Sequence, residues 1–177
     1  MRIVIPEAIG KVVEAVQKKL QLPNLNYIYG TIDDLVVDLK DMTTAPALAA
    51  AKYPLIWLPM DIEERHTGND YMYQANVNVV IADLTDPKYR VSERLSNTFA
   101  PTLQPIYEEF LNQLVLSSFF NIDHPDLIEH RKIDRIAWGK KALISINGGG
   151  IDFVDAIELT DLNLNVKHVN CNKKWQI

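Results

Sequence analysis

The sequence predicts an α+β domain in which an antiparallel β-sheet packs against two main helices. The first observation is the order of the predicted elements, which runs helix, several strands, helix and two strands. The second is the segment Tyr71 to Asp83, where apolar and polar residues alternate as in a sheet covered on one side. The third is that an early segment and a central segment carry apolar residues at helical spacing.

Length and composition predict a single soluble domain spanning residues 1–177. The chain has 177 residues, of which 47% are apolar and 23% charged, and these fractions are ordinary for a globular protein. Its formal net charge of -5 disfavours a protein that coats nucleic acid, because phosphate binding needs a basic surface. The single cysteine, Cys171, cannot form an internal disulfide or build a zinc site alone. We therefore expect a reducing cytoplasm or a particle assembled in one.

The N-terminal third predicts one helix followed by extended segments. The helix begins at Pro6, which suits a first turn, and ends before Pro23. A short aromatic strand, Tyr27 to Tyr29, then ends at Gly30. The segment Asp34 to Leu39 is β-branched at its centre, so we expect it to be extended as well.

The middle of the chain predicts two further strands. The segment Tyr53 to Pro59 is bounded by prolines, which is typical of an edge strand or of a strand with a bulge. The alternating segment Tyr71 to Asp83 predicts a central strand, with Val77, Val79 and Ile81 packed against a helix.

The second helix is predicted to begin at Ser92, but Pro101 and Pro105 each remove a backbone donor. We therefore expect a break or kink there and a regular helix from about Pro105 onward. The apolar stripe of this helix contains seven residues: Leu95, Phe99, Leu103, Ile106, Phe110, Leu111 and Leu114.

The C-terminal part predicts an irregular or briefly helical stretch from Asn121 to Arg135 and then two strands. The first strand is Lys141 to Ile146, and it leads into a glycine loop at residues 147–150. The second is Phe153 to Val169, whose apolar residues change phase near Thr160 and Asp161. This change of phase predicts a β-bulge.

The candidate chemical sites favour no catalytic, cofactor-binding or metal-binding function. Asp61, Glu63 and Glu64 lie in a predicted hairpin loop, where a solvated turn explains them better than a carboxylate pair. Asp126 and His130 have the i, i+4 spacing of metal ligands, but no third ligand stands out in the sequence. The run of three glycines lacks the lysine and the following helix of a phosphate-binding loop. His168 and Cys171 would point to opposite faces of a strand, which disfavours a cysteine nucleophile.

Three groups of residues are instead candidates for contacts between protein chains. The loop Asp41 to Lys52 is rich in alanine and is too apolar for an idle solvated loop, although an extra helical turn on its own subunit is the alternative. The loop Asp61 to Asp70 is acidic and polar. A basic cluster around residues 130–141 fits a solvated surface, a charge-complementary contact or, less well, a nucleic acid. The interface candidates are Met42, Leu48, Glu63, Glu64, Arg131, Lys132 and Arg135.

The order of these elements resembles that of the tail terminator proteins of long-tailed bacteriophages and of related neck and tail-tube ring proteins. No single motif carries this likeness, which spans nearly the whole chain. The segments 52–58 and 105–110 also resemble stretches of prophage proteins of Bacteroidetes. The elements compared are an amphipathic helix after Pro6, the segments Tyr27 to Gly30, Tyr53 to Leu58 and Tyr71 to Asp83, a second helix from Arg94 to Leu114, and strands at Lys141 to Ile146 and Ala156 to Val169.

The resemblance implies a structural virion protein that is not an enzyme and has no cofactor. Such proteins form rings, commonly of six subunits, although twelve is also possible for this chain. The expected partners are further copies of the chain, neck or head-completion proteins and tail-tube proteins, with DNA only as passing cargo and no membrane. The expected location is the tail or neck of the virion, after assembly in the host cytoplasm. The extra residues from Asp41 to Ala51 and from Asn121 to Ile136 would also suit another neck or tail ring.

Two other classes of function stay open at this level. One is an enzyme, for example a hydrolase that uses the loop from Asp61 to His66, and a pocket with perturbed carboxylates would favour it. The other is a cytoplasmic adaptor or binding module that belongs to no virion. The size of the protein in solution separates a ring from a monomeric module.

Overall fold

The computed structural model of the chain describes residues 3–44, 51–66, 72–138 and 152–167. The first helix, α1, spans Ile5–Leu20 and confirms the predicted amphipathic helix. Pro6 lies in its first turn, and Gln21 adopts a left-handed conformation (φ 55°) that ends it. The buried face of α1 consists of Ile5, Ala8, Ile9, Val12, Val13 and Val16.

The described residues form a six-stranded sheet, and the fold is of the mixed α+β kind that the sequence predicts. The strands are β1 (Asn26–Gly30), β2 (Leu55–Pro59), β3 (Glu63–Arg65), β4 (Met72–Leu84), β5 (Arg131–Arg135) and β6 (Val154–Lys167). Five of them follow the order β1-β2-β4-β6-β5, and β3 pairs with β4 beside this path. All pairs are antiparallel except β1 and β2, which are parallel.

The parallel pair exists because a helix connects β1 to β2. This helix, α2, spans Ile32–Thr44, so the prediction of an extended segment from Asp34 to Leu39 was wrong. The backbone N–H of Asp34 donates to the Thr31 hydroxyl, and the Asp34 carboxylate accepts from the Thr31 N–H. This reciprocal capping begins the helix and outweighs the weak strand propensity of the β-branched residues.

Strand β2 is internal and its described pairs show no register shift, so neither predicted alternative, an edge strand or a strand with a bulge, is found. It lies between β1 and β4, and Pro54 precedes the strand while Pro59 is its last residue. Neither proline therefore removes a hydrogen bond from the middle of the ladder.

Strand β4 is the centre of the sheet, as its alternating sequence predicts. Val77, Val79 and Ile81 are fully buried in the core that contains the helices. The predicted bulge in β6 is also confirmed, because Val77 pairs with Leu162 and Val79 with Leu159. Two residues of β6 consequently oppose one residue of β4, and Asp161 takes a positive φ of 56°.

The second long helix is continuous through its prolines. It consists of α3 (Val91–Arg94), a π-helical segment (Leu95–Leu103) and α4 (Gln104–Leu116). The predicted break is therefore replaced by wider turns around Pro101, in which the N–H of Gln104 bonds to the carbonyl of Phe99. The α-helical geometry resumes at Gln104, close to the predicted Pro105. Leu95 was expected in the apolar stripe, but it is 60% exposed because the extra residue of the π-helix shifts the phase.

The sheet separates two apolar cores. The larger core lies between one face of the sheet and α1, the π-helical segment and α4. The smaller core lies on the other face, where α2 covers Leu55 and Trp57 of β2 and Val80 and Ala82 of β4. The three-helix arrangement therefore adds α2 to the two helices that the sequence predicts.

The stretch from Asn121 to Arg135, predicted to be irregular or briefly helical, contains a 3-10 turn (Pro125–Leu127) and strand β5. The prediction missed β5 because four of its five residues are charged, and only pairing with β6 makes it a strand. The predicted strand Lys141 to Ile146 and the glycine loop lie outside the described residues. Among the helices that the structure describes, none has the length and apolar character needed to cross a membrane.

Candidate interaction surfaces

The basic interface candidates lie together on the edge strand β5. Arg131, Lys132 and Arg135 are all exposed to solvent. Each cation has a carboxylate partner within the chain: Arg131 contacts Asp161 at 2.9 Å, Lys132 contacts Asp134 at 2.6 Å and Arg135 contacts Glu158 at 2.7 Å. Exposed ion pairs contribute little free energy, so these cations remain able to contact a second acidic group.

The acidic interface candidates lie on the other side of the central strand. Glu63 and Glu64 belong to the exposed strand β3, which pairs with β4 on the side away from β6. The two carboxylates are adjacent on a strand and so point to opposite faces of the sheet. Glu63 and Glu64 therefore do not form a pair of cooperating carboxylates, and the Nε2 atom of His66 lies 3.2 Å from the Glu64 carboxylate.

A shallow apolar groove of about 580 Å³ lies beside β3, where the N-terminal segment meets the ends of β1 and β2. Val4, Tyr29 and Met60 line it and are unusually exposed for large apolar residues. Glu7 and Glu64 supply the acidic part of its wall. The groove could accept an apolar segment, and the sequence alone did not reveal it because its residues come from three distant parts of the chain.

The alanine-rich segment is helical at its start. Asp41 to Thr44 form the last turn of α2, which corrects the predicted loop for these residues, and Met42 is half-buried there. Lys52 is buried, and its ammonium group donates to the Thr43 hydroxyl at 2.8 Å and pairs with Asp152. These contacts tie the end of α2 to the starts of β2 and β6. Leu48 lies outside the described residues.

The two histidines of the segment 123–130 contact different neighbouring residues. His130 lies 2.9 Å from the Tyr107 hydroxyl through Nε2 and 2.7 Å from the Ile128 carbonyl through Nδ1. Asp126 pairs instead with His124 at 3.3 Å. Asp126 and His130 are therefore not directed at one ion, and within residues 3–44, 51–66, 72–138 and 152–167 no cluster of three potential metal ligands occurs. His168 and Cys171 lie outside the described residues.

One buried ion pair was not predicted. Arg94, in the first turn of the long helix, is 4% exposed and donates to Asp155 of β6 at 2.7 Å. The same carboxylate oxygen accepts the backbone N–H of Ala137 at 2.9 Å. The pair fixes the helix start to the sheet, and sequence gave no signal for it because 61 residues separate the partners.

The sequence matches no model of a known protein family. It also matches no curated protein sequence.

Proposed function

We propose that this chain is a structural subunit that closes into a ring through contacts between unlike surfaces. The observation that carries the proposal is the difference between the two ends of the strand order. One end is β1, whose sequence Asn-Tyr-Ile-Tyr-Gly has no charge, and the other is β5, whose sequence is Arg-Lys-Ile-Asp-Arg. Contacts between unlike patches are heterologous, and heterologous contacts that close produce rings.

The acidic and the basic interface candidates also lie on different sides of the sheet. Glu63 and Glu64 lie on one side of β4, and Arg131, Lys132 and Arg135 lie on the far edge of the sheet. A subunit with opposite charge on opposite sides can place its basic side against the acidic side of the next copy. Such contacts fix the orientation of neighbours more than they add affinity.

Within the class of rings, we propose a tail terminator or another neck ring of a tailed bacteriophage. The support is the order of elements: an amphipathic helix, a short aromatic strand ending at Gly30, a strand after Pro54, a long alternating strand, a second long helix and a long final strand. The proposed partners are six or twelve copies of the chain, a tail tube and a head-completion protein. The proposed location is the tail or neck of the virion.

Native mass spectrometry and light scattering test this proposal. The wild-type protein should give one closed species of defined subunit number, and electron microscopy should show a ring that binds the end of a tail tube. The paired variant Arg131→Glu with Arg135→Glu should weaken the assembly. A control that reverses the exposed Lys18 and Lys19 on α1 should leave it unchanged, because these residues belong to neither β3 nor β5. A wild-type protein that stays monomeric at all concentrations contradicts the proposal.

A monomeric binding module is the second candidate function. The groove between Ile3 and Glu64 favours it, because Val4, Tyr29 and Met60 expose apolar side chains together along it. A monomeric wild-type protein whose partner binding is lost in Met60→Asp would support this candidate over the ring.

A further inference from the structure

We infer that the β-sheet continues from one copy of the chain to the next, with β5 of one copy paired to β1 of its neighbour. This inference rests on the proposed ring and names the contact that would close it. The structural basis is that the backbone groups without a partner among the described residues lie at matching positions on the two edge strands.

Within the described part of the chain, the backbone groups of β1 that have no partner belong to its two tyrosines. The N–H of Asn26 donates to the carbonyl of Pro54 at 2.9 Å, so the backbone groups of Asn26 are directed at β2. Successive residues of a parallel pair alternate between facing the neighbour and facing away. Tyr27 and Tyr29 therefore direct their N–H and carbonyl groups away from the sheet.

The same alternation can be followed through every strand to the opposite edge. Asn26, Ile28 and Gly30 form backbone hydrogen bonds with alternate residues of β2. The residues of β2 between those partners, Leu55 and Trp57, therefore direct their N–H and carbonyl groups at β4. The residues of β4 that alternate with the partners of Leu55 and Trp57 then direct their backbone groups at β6. Thr85 follows this alternation, because its N–H donates to the carbonyl of the facing residue Phe153 at 3.0 Å.

Strand β6 carries the alternation to the last strand. Because Ile157 and Leu159 face β4, Ala156 and Glu158 direct their backbone groups at β5. Their partners on β5 are Arg135 and Ile133. The residues of β5 whose backbone groups point away from the sheet are consequently Lys132 and Asp134.

The two edges also stand at the same level. One row of paired residues runs across the sheet from Asn26 through Leu55, Ala82 and Ala156 to Arg135. The next row begins at Tyr27 and ends at Asp134. The directions of the strands make β5 antiparallel to β1. A neighbouring copy placed edge to edge, without sliding along the strands, would therefore pair Tyr27 with Asp134 and Tyr29 with Lys132 as hydrogen-bonded pairs.

The side chains in this register are compatible. The partly exposed Tyr29 (40%) would lie beside the stem and ammonium group of Lys132, a contact favourable for a cation and an aromatic ring. Arg131 would lie opposite Gly30, next to the exposed acids Asp33 and Asp34 in the first turn of α2. This acidic turn gives the basic edge a charge-complementary surface.

The composition of the edges agrees with selective pairing. Proteins commonly protect an edge strand with charged residues, proline or a bulge. Strand β5 has charges, whereas β1 has no charged residue and no proline. In a contact between two β5 strands that places Arg131 opposite Arg135, Lys132 lies opposite Asp134, so like and unlike charge pairs offset one another and charge does not favour that symmetrical arrangement.

Disulfide trapping tests the register in the full-length chain with Cys171 replaced by serine. Tyr29→Cys together with Lys132→Cys should give a ladder of covalent multimers after mild oxidation, ending at the subunit number of the ring. Hydrogen-bonded antiparallel pairs have Cα atoms about 5.5 Å apart, which is within the range of disulfides. The control, Tyr29→Cys with Asp134→Cys, is two residues out of register and should give at least tenfold less ladder, because an extra offset of about 7 Å exceeds that range.

Three results would overturn the inference, and they differ from a failure of the ring itself. A wild-type ring in which the in-register pair forms no ladder would leave the ring intact and remove the edge contact. A ladder of equal yield from the control pair would contradict the proposed register. Efficient dimers from Tyr29→Cys alone would indicate symmetrical pairing of two β1 strands. A monomeric wild type would contradict both proposals. As a second variant, Lys132→Pro removes an outward N–H and the Lys132 side chain but no backbone hydrogen bond to β6, so it should abolish the ring while the far-ultraviolet spectrum stays that of the wild type.

Discussion

Replacing Arg94 should destabilise the domain more than any exposed substitution, because the residue neutralises a carboxylate that no water reaches. The guanidinium group donates to Asp155 at 2.7 Å and to the backbone carbonyls of Tyr89 at 3.0 Å and Asp86 at 3.2 Å. Asp155 is fully buried, and its second oxygen, Oδ2, has no hydrogen-bond partner among the described residues. Arg94→Met keeps the volume of the side chain but leaves this carboxylate with one backbone donor.

The expected cost follows from the geometry of this pair. Removing one partner of a buried ion pair typically costs about 3–5 kcal/mol, because the remaining charge is uncompensated. The double variant Arg94→Met with Asp155→Leu removes both charges. It should lose only about 1–3 kcal/mol, because the N–H of Ala137 is then left without its acceptor.

Urea unfolding at one fixed protein concentration, monitored by tryptophan fluorescence and circular dichroism, measures these free energies. The single variant should lower the midpoint strongly, and the double variant should recover part of the loss. A cost below about 1 kcal/mol for Arg94→Met would refute the reasoning, since a buried and uncompensated carboxylate cannot be that well tolerated. A double variant as unstable as the sum of the two single variants would show that the residues do not act as a pair.

Three further predictions concern the same domain. Burial raises the pKa of the Asp83 carboxyl, so the ionised form of Asp83 destabilises the folded state above that pKa. Asp83→Asn should therefore raise the free energy of unfolding at pH 7. Urea titrations at pH 7 and pH 4 should show that this gain shrinks as the pH is lowered. Thr31→Ala removes the cap of α2 and should cost about 1 kcal/mol, whereas Thr44→Ala at the other end should cost less. Phe110→Ala, at a fully buried position between α4 and the sheet, should cost about 3–5 kcal/mol in thermal or chemical unfolding, and a loss below 1 kcal/mol would contradict the described core.

The elements that sequence predicted correctly are those whose own side chains decide the structure. The alternation of β4 and the apolar stripe of α1 each require burial of one face, so their periodicity could be read directly. Strand β5 could not be predicted, because its charged residues have no apolar period and its conformation depends on pairing with β6. Helix α2 had a readable signal in the spacing of Thr31 and Asp34, but its β-branched residues suggested a strand.

The interaction surfaces were only partly predictable, because they depend on strand order. Sequence identified the exposed charges of Glu63, Glu64, Arg131, Lys132 and Arg135, yet it could not say that they lie on opposite sides of the central strand. The position of β1 at the edge was equally hidden. It follows from the helical connection that returns the chain to β2 in parallel.

The π-helical segment also determines how many residues can separate the buried side chains at its two ends. Arg94 faces the sheet at the start of the long helix, and Leu103 and Ile106 face the larger core farther along it. An α-helix turns by about 100° per residue. Deleting one residue between these buried side chains would convert the segment toward a regular helix and rotate Arg94 away from Asp155. Substitutions in this segment should therefore be tolerated far more readily than insertions or deletions.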